Sequence, residues 1–448
     1  MTVPTLPMSR REAWMRGVAP GGTWIDQAGL AAVLLLPPML MHSRATADVL
    51  ISLIDVLFLV RCAREGAWDW TRQGWVRVAG AFWLWMVLCS LLAGGARPLG
   101  QALVTIRLFL LVAALQDWLM RPPDARRWLN AAFIACAAWV ALEAWHQMLL
   151  GRNFLGYHRA GDGVLTGPFG KERAGPIYVD VFFPAVLPFV IDRMGRPGVR
   201  PRLIGLAVLL AATATQVLIG QRMPTLLVLF GLLVAAVLTP RLRWAAAGVL
   251  ALCLVLVALL PVVSPPTFQR LVVHFVEQMQ HFWADAYGQI FLRAFGMIQS
   301  NPIFGLGYDG YRLNCLDPAY LHGNALIGMP DAAIDGESGC NIHPHNYWLE
   351  VLTSFGVPGG VLLSALVLLW LRDGWGVAAA RTPLHAALLT ATIVLLWPFA
   401  TRSSLFVVDA GGWAFLTAGW LLAAAAPARA ALAAQSTARR LQAEAGSS

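Results

Sequence analysis

Charge is what this chain has least of. Charged residues make up 13% of it and hydrophobic residues 58%. That balance excludes an ordinary soluble globular domain, which carries about 25% charge. Lysine is nearly missing too: of 33 basic residues, only Lys171 is not arginine. The net charge of +9 is no nucleic-acid signature, because the arginines are scattered between apolar stretches and form no basic domain. The first residues hold no short apolar segment with a small-residue cleavage site, so no removable signal peptide is expected. His343 and His345, with Asp331, Asp335 or Glu337, have ligand-type side chains, but no tight spacing such as His-Glu-x-x-His occurs and no metal is expected. There is no clear internal repeat. Nor is there a matched pair of Gly/Pro-broken spans, as the inverted repeats of a transporter would require.

What the chain has instead is apolar runs of about 18–25 residues, long enough to cross hydrocarbon. They predict about twelve spans, at 25–42, 46–63, 75–93, 99–118, 128–150, 176–192, 203–220, 223–240, 244–263, 347–371, 384–400 and 408–427. The expected fold is an all-α polytopic membrane protein. A tail over 1–24 precedes nine spans over 25–263. A large outer loop over 264–346 follows, then three spans over 347–427 and a tail over 428–448. With the N-terminus inside, 21 basic residues fall on the inner side and 11 on the outer, with Arg107 within a span. The reverse orientation inverts this bias, so both termini are expected in the cytoplasm and the large loop outside. Trp24, Trp75, Trp118, Trp128, Trp244 and Trp348 fall near span ends, where an interfacial belt sits.

Two outer segments are longer than connection requires, about 151–175 and 264–346. In the larger, Ser264-Pro265-Pro266 can start a helix whose Phe268, Leu271, Val272, Phe275, Met279 and Phe282 share one face along the membrane surface. A second helix is expected at about 286–300, stopping at Asn301-Pro302. Cys315 and Cys340 both fall in this loop, and a disulfide between them is plausible if it faces an oxidising compartment. Cys62, Cys89, Cys136 and Cys253 lie in or beside spans and read as packing residues.

Five features carry potential chemistry. His343-Pro344-His345-Asn346 stands before a span, with Asn346 placed to cap it and Glu350 in its first turn. A helix N-terminus disfavours imidazolium, which keeps His345 available as a base; the plainer alternative is a loop histidine satisfied by backbone. Arg222, in the short turn Gly220-Gln221-Arg222-Met223-Pro224, is costly beside hydrocarbon unless it has a partner, a ligand or room to snorkel. Arg293 precedes Asn301-Pro302-Ile303-Phe304-Gly305-Leu306-Gly307, whose glycines permit tight turns but make no nucleotide loop. Arg152, His158, Arg159, Lys171, Glu172 and Arg173 cluster in the other outer loop, where guanidinium forks suit phosphate or anionic headgroups. Asp55, Arg107, Glu143 and His146 are polar groups within spans that must pair or face a cavity; Glu143 and His146, one turn apart, can share one.

His345-Asn346, nine residues and then Gly356-Val357-Pro358-Gly359 resembles the signature of the O-antigen ligases, the WaaL family. Arg222 in its outer turn and Arg293 with the segment to Gly307 are similar to the other marks of the wider ligase/polymerase (Wzy-type) superfamily. So is the layout of twelve spans with a large loop between the ninth and tenth. The resemblance implies a GT-C-like fold in a bacterial inner membrane with the active site facing the periplasm. It implies inverting, metal-independent transfer of a glycan from undecaprenyl diphosphate to a hydroxyl of lipid A–core, completing lipopolysaccharide. The partners implied are that donor, that acceptor and membrane lipids, with no nucleic acid and no cofactor. Under this reading His345 takes the acceptor's proton, while Arg222 and Arg293, with Arg173, stabilise the leaving diphosphate. Asn346, His343, Lys171, Arg159 and His146 are further substrate-binding candidates. Direct attack inverts the anomeric centre. An O-antigen polymerase and a pilin-glycosylating transferase share these marks, and a transporter is the alternative of another class.

Overall fold

The computed structural model describes residues 23–320, 340–376 and 382–445, with side chains of the last helix described to residue 426. Asp331, Asp335 and Glu337, and most of the N-terminal tail, lie outside the described residues. The described chain is helical and has no β-strand; one isolated bridge pairs Arg152 with His158.

Every expected span coincides with a helix. These are α1 (Trp24–His42), α2 (Arg44–Glu65), α3 (Gly74–Ala93), α4 (Ala96–Leu119), α5 (Pro123–Leu150), α6 (Ala174–Gly195), α7 (Val199–Ile219), α8 (Arg222–Leu238) and α9 (Pro240–Val263). The outer loop contributes α10 (His274–Gln280) and α11 (Ala286–Ser300). Then come α12 (Tyr347–Trp375), α13 (Pro383–Leu395) and α14 (Val408–Ala445). Nine of these are long and apolar enough to cross a membrane; α8 and α13 are apolar but shorter, and α2 carries Asp48, Asp55 and Arg61 among its apolar residues. The centre of the bundle is α6 and α14, each with 83% of its apolar window buried, whereas α9 has 22% and turns its Leu and Val side chains outward.

Three local departures from the sequence expectation shape the outer end. The surface helix begins at Pro265, but Ser264 does not cap a backbone N–H; its hydroxyl meets that of Thr267 at 2.8 Å. That helix widens into a π-turn at Gln269–Val273 before α10, which places Arg270 on the wide turn. The eleventh span stops at Leu395 rather than residue 400. Pro398 has no N–H to give and disfavours helix at Trp397, and residues 396–407 continue as irregular chain.

The last departure lies within α12. Gly356 has φ 64° and ψ −171°, a backbone state open essentially to glycine alone, so the helix breaks there. The break frees backbone groups, and Pro302–Gly307 takes them up. Val357 N–H donates to Pro302 O (2.7 Å), Leu306 N–H to Thr353 O (2.9 Å) and Gly307 N–H to Ser354 O (2.8 Å). A Cβ on Gly356 would collide with the Ile303 carbonyl, and one on Gly305 with the backbone of Ser354. The Asn301–Gly307 and Gly356–Gly359 blocks are therefore two halves of one joint that docks the outer loop on the bundle.

Gly356→Ala should lower the thermal unfolding midpoint of the detergent-purified protein steeply, at a cost of about 3 kcal/mol or more. Gly80→Ala, where an added Cβ meets nothing within 4 Å, should be neutral or slightly stabilising. Equal midpoints for the two variants would remove the steric argument.

Candidate functional site

The first turns of α6 and α8, the large loop and residues 396–407 line a cavity of about 900 Å³. Its lining mixes the apolar side chains of Met223, Leu226, Phe275 and Phe399 with charged ones. His345, His343, Arg222 and Arg173 all line it.

The histidine turn is built by the start of α12. Asn346 caps the helix: its Oδ1 accepts from Trp348 N (2.9 Å) and Leu349 N (3.0 Å). Its Nδ2 donates to Pro398 O (2.7 Å) and Ala400 O (3.2 Å). One turn on, Glu350 accepts from Leu405 N (2.7 Å) and from the Ser404 hydroxyl. Tyr347 Oη donates to Ala410 O (3.0 Å). The irregular segment answers with Arg402 N–H, which donates to His345 O (2.8 Å). His345 itself has φ 51°, the left-handed region that non-glycine residues adopt at a cost of about 1–2 kcal/mol. Its Nε2 is 3.2 Å from Asn341 Nδ2, its ring lies 4.5 Å from that of His343 and 5.6 Å from that of Tyr287, centroid to centroid.

Both histidines are held neutral. Burial lowers His345 from its ordinary value. Burial and, secondarily, the charge of His345 push His343 down to about 4. His343 Nε2 is buried without a hydrogen-bond partner.

The cavity arginines divide by partner. Arg402 pairs with Asp180, both almost fully buried. Arg173 meets Asp409 at 2.9 Å. Arg270 holds Asp162 and, at 3.3 Å, Glu172. Arg222 instead donates to the neutral amide of Gln278 and stands 6.0 Å over the Phe275 ring. Arg44 and Arg222 are the lining arginines without an ion pair among the described residues. Arg222 is kept in place by its neighbour: Gln221 accepts from Gly175 N (2.8 Å) and donates to Glu172 O (3.0 Å), locking the turn to the start of α6. A Cβ at Gly175 would occupy the space of the Gln221 amide.

The other sequence candidates lie elsewhere. Arg293 does not line the cavity. It is fully buried within the outer loop, in a small core with Ile290, Met297 and Tyr311, and donates to Cys315 O. Cys315 and Cys340 are joined as a disulfide, Cα atoms 5.1 Å apart, five residues before His345. Arg159 donates to Ser264 Oγ (3.2 Å) and Lys171 is exposed on the outer surface. Glu143 and His146 face the 151–173 loop rather than a shared cavity. Glu143 accepts from Phe154 N (2.8 Å), and His146 Nδ1 is 2.7 Å from Arg152 O. Arg107 pairs with Asp48 at 2.7 Å. Arg270, Arg402, Asp180, Asp409 and Tyr287 were not singled out by sequence. For Arg402 the polar run Thr401–Ser404 after Pro398 was the available signal.

Residues 206–364 match the family model described as O-antigen ligase, within the O-antigen ligase/polymerase superfamily. Members of that family are glycosyltransferase-like enzymes acting on lipid-linked sugars. No curated protein matches the chain.

The linkage sign for His343 follows from its lowered value. Unfolded histidine binds a proton near pH 6.5 and the folded side chain only near 4. The unfolded state therefore gains protons first on acidification. The neutral ring's contribution is complete above pH 6.5 and is lost as pH falls toward 4. His343→Asn should flatten the drop in unfolding midpoint across that window, with little change in slope above pH 7. A slope equal to wild type would show that His343 does not titrate this way.

Proposed function

We propose that this chain, whose residues 206–364 match the O-antigen ligase/polymerase superfamily, transfers a glycan from undecaprenyl diphosphate to a hydroxyl of lipid A–core at the outer face of a bacterial inner membrane. The observation that carries the reading is the meeting, in one cavity, of a neutral strained histidine, an arginine whose hydrogen bond goes to a neutral amide and a set of apolar side chains. Those are the requirements of an amphipathic donor whose anionic leaving group must be stabilised while a weak nucleophile loses a proton.

In this reading the diphosphate lies against Arg222, whose planar fork matches two phosphate oxygens. Arg173 joins it by exchanging Asp409 for phosphate. The acceptor hydroxyl approaches the anomeric carbon from the side of His345. Its oxygen forms the new glycosidic bond as the C–O bond to the diphosphate breaks, inverting the centre. The proton passes to the His345 imidazole, and the negative charge leaves on undecaprenyl diphosphate. Arg293 serves from a distance, fixing α11 to the disulfide-closed segment that ends in the histidine turn.

The purified protein in lipid, supplied with lipid-linked glycan and lipid A–core, should form glycosylated lipid A–core. Extension of a lipid-linked glycan alone would reassign it as a polymerase, and modification of pilin alone as a protein-glycosylating enzyme. Transport of the glycan without transfer would sink the proposal. In the same assay His345→Ala should cut the rate by about 10²-fold or more with folding intact. Arg222→Lys should also be severely impaired, since lysine lacks the bidentate fork; a Lys variant as active as wild type would mean that charge alone matters there.

A further inference from the structure

Tyr287 stands in the first turn of α11 and lines the cavity. Its ring meets the His345 ring edge to face, centroids 5.6 Å apart. It is also within electrostatic reach of Arg270 and Arg222. Burial raises its phenol above the ordinary value despite those guanidinium groups, so the hydroxyl stays protonated. The residue remains 39% exposed, and it shares the cavity with the histidine.

Its place is rigidly set from below. Gln289 Nε2 donates to Trp283 O at 2.7 Å, and Gly288 lies so close to the Phe282 carbonyl that no Cβ fits. Gln278, which holds Arg222, also donates to Asp285 at 2.9 Å, the residue that precedes α11. The same helix carries Arg293 to Cys315, whose disulfide partner Cys340 leads into the His345 turn. One connected body thus presents the arginine, the tyrosine and the histidine.

A donor sugar undergoing transfer has two neighbours, the diphosphate that leaves and the hydroxyl that attacks. On the reading above, Arg222 marks the first and His345 the second, and Tyr287 is in contact or in electrostatic reach of both. We propose that the Tyr287 ring is the stacking platform for the reducing-end pyranose of the lipid diphosphate donor. The C–H face of a pyranose is apolar and slightly electropositive, which suits the electron-rich face of a phenol ring. The platform rests on the transferase reading but concerns binding, so binding can test it alone.

The experiment compares affinities for the glycan-bearing undecaprenyl diphosphate and for bare undecaprenyl diphosphate, measured by quenching of intrinsic tryptophan fluorescence in full-length wild type, Tyr287→Ala and Tyr287→Phe. Wild type should prefer the glycan-bearing lipid. Tyr287→Ala should lose that preference by about tenfold, the scale of one good aromatic contact, and bind the bare lipid within twofold of wild type. Tyr287→Phe should retain the preference within about threefold. Parallel weakening of both lipids would assign Tyr287 to the diphosphate or to the fold and overturn the proposal. An unchanged preference in Tyr287→Ala, or a Phe variant as poor as Ala, would overturn it as well. A wild-type protein that binds with the expected preference yet transfers nothing would defeat the transferase reading and leave the platform standing.

Discussion

Backbone that leaves the helix beside hydrocarbon must find its hydrogen bonds inside the protein, because lipid offers none and each unsatisfied group costs several kcal/mol. The first turn of α12 meets that constraint for residues 398–405. One asparagine, Asn346, makes four hydrogen bonds, two closing its own helix and two holding carbonyls 52 and 54 residues away. Glu350 adds two more on the far side of the same stretch. Without them α13 would have to continue as helix or its chain would have to retreat to water. With them the chain is free to be irregular, and that irregularity puts Arg402 against Asp180 and its N–H under His345. The strained backbone of His345 persists because both of its sides are held.

The same logic explains a motif with the glycines of a binding loop. Gly305 and Gly307 have positive φ; Gly305 lies against the backbone of Ser354 and Phe355 before the break, and Gly307 against Ser90 and Ala93 of α3. The backbone of Pro302–Gly307 replaces the helical partners that the break removes. These glycines serve close backbone approach, and the polar groups that could meet a substrate come from other elements.

The helices and the outer loop were legible in the sequence because long apolar runs and proline stops are local signals. Legible too were His345, Arg222 and Arg173, each an expensive polar group in a place where short connections need none. What could not be read was partnership. Arg293 resembled a ligand-binding arginine, and only the tertiary structure shows its guanidinium turned to Cys315. Glu143 and His146 share a helical face as expected, yet that face meets the backbone of the following loop. The end of α13 was misjudged by five residues because apolar character continues through Phe399 while helical hydrogen bonding does not. Asp180 meets Arg402 across 222 residues, Tyr287 meets His345 from the far side of the loop, and Arg270 sits on the widened turn at Gln269–Val273; none of these leaves a pattern in sequence.

The shortness of α13 has a consequence for depth. Its 13 residues cover about 20 Å at ~1.5 Å per residue, against a hydrocarbon layer of about 30 Å. Were its first turn level with one boundary of that layer, the 396–407 segment, which contributes to the cavity lining, would begin roughly 10 Å short of the other. That part of the lining would then be recessed into the insulating layer of the bilayer rather than resting on it. Field lines between a guanidinium and a phosphate would be less screened there than in water. A lipid carrier could present its headgroup at that level without lifting its tail from the membrane, so the bilayer itself would act as one wall of the reaction vessel.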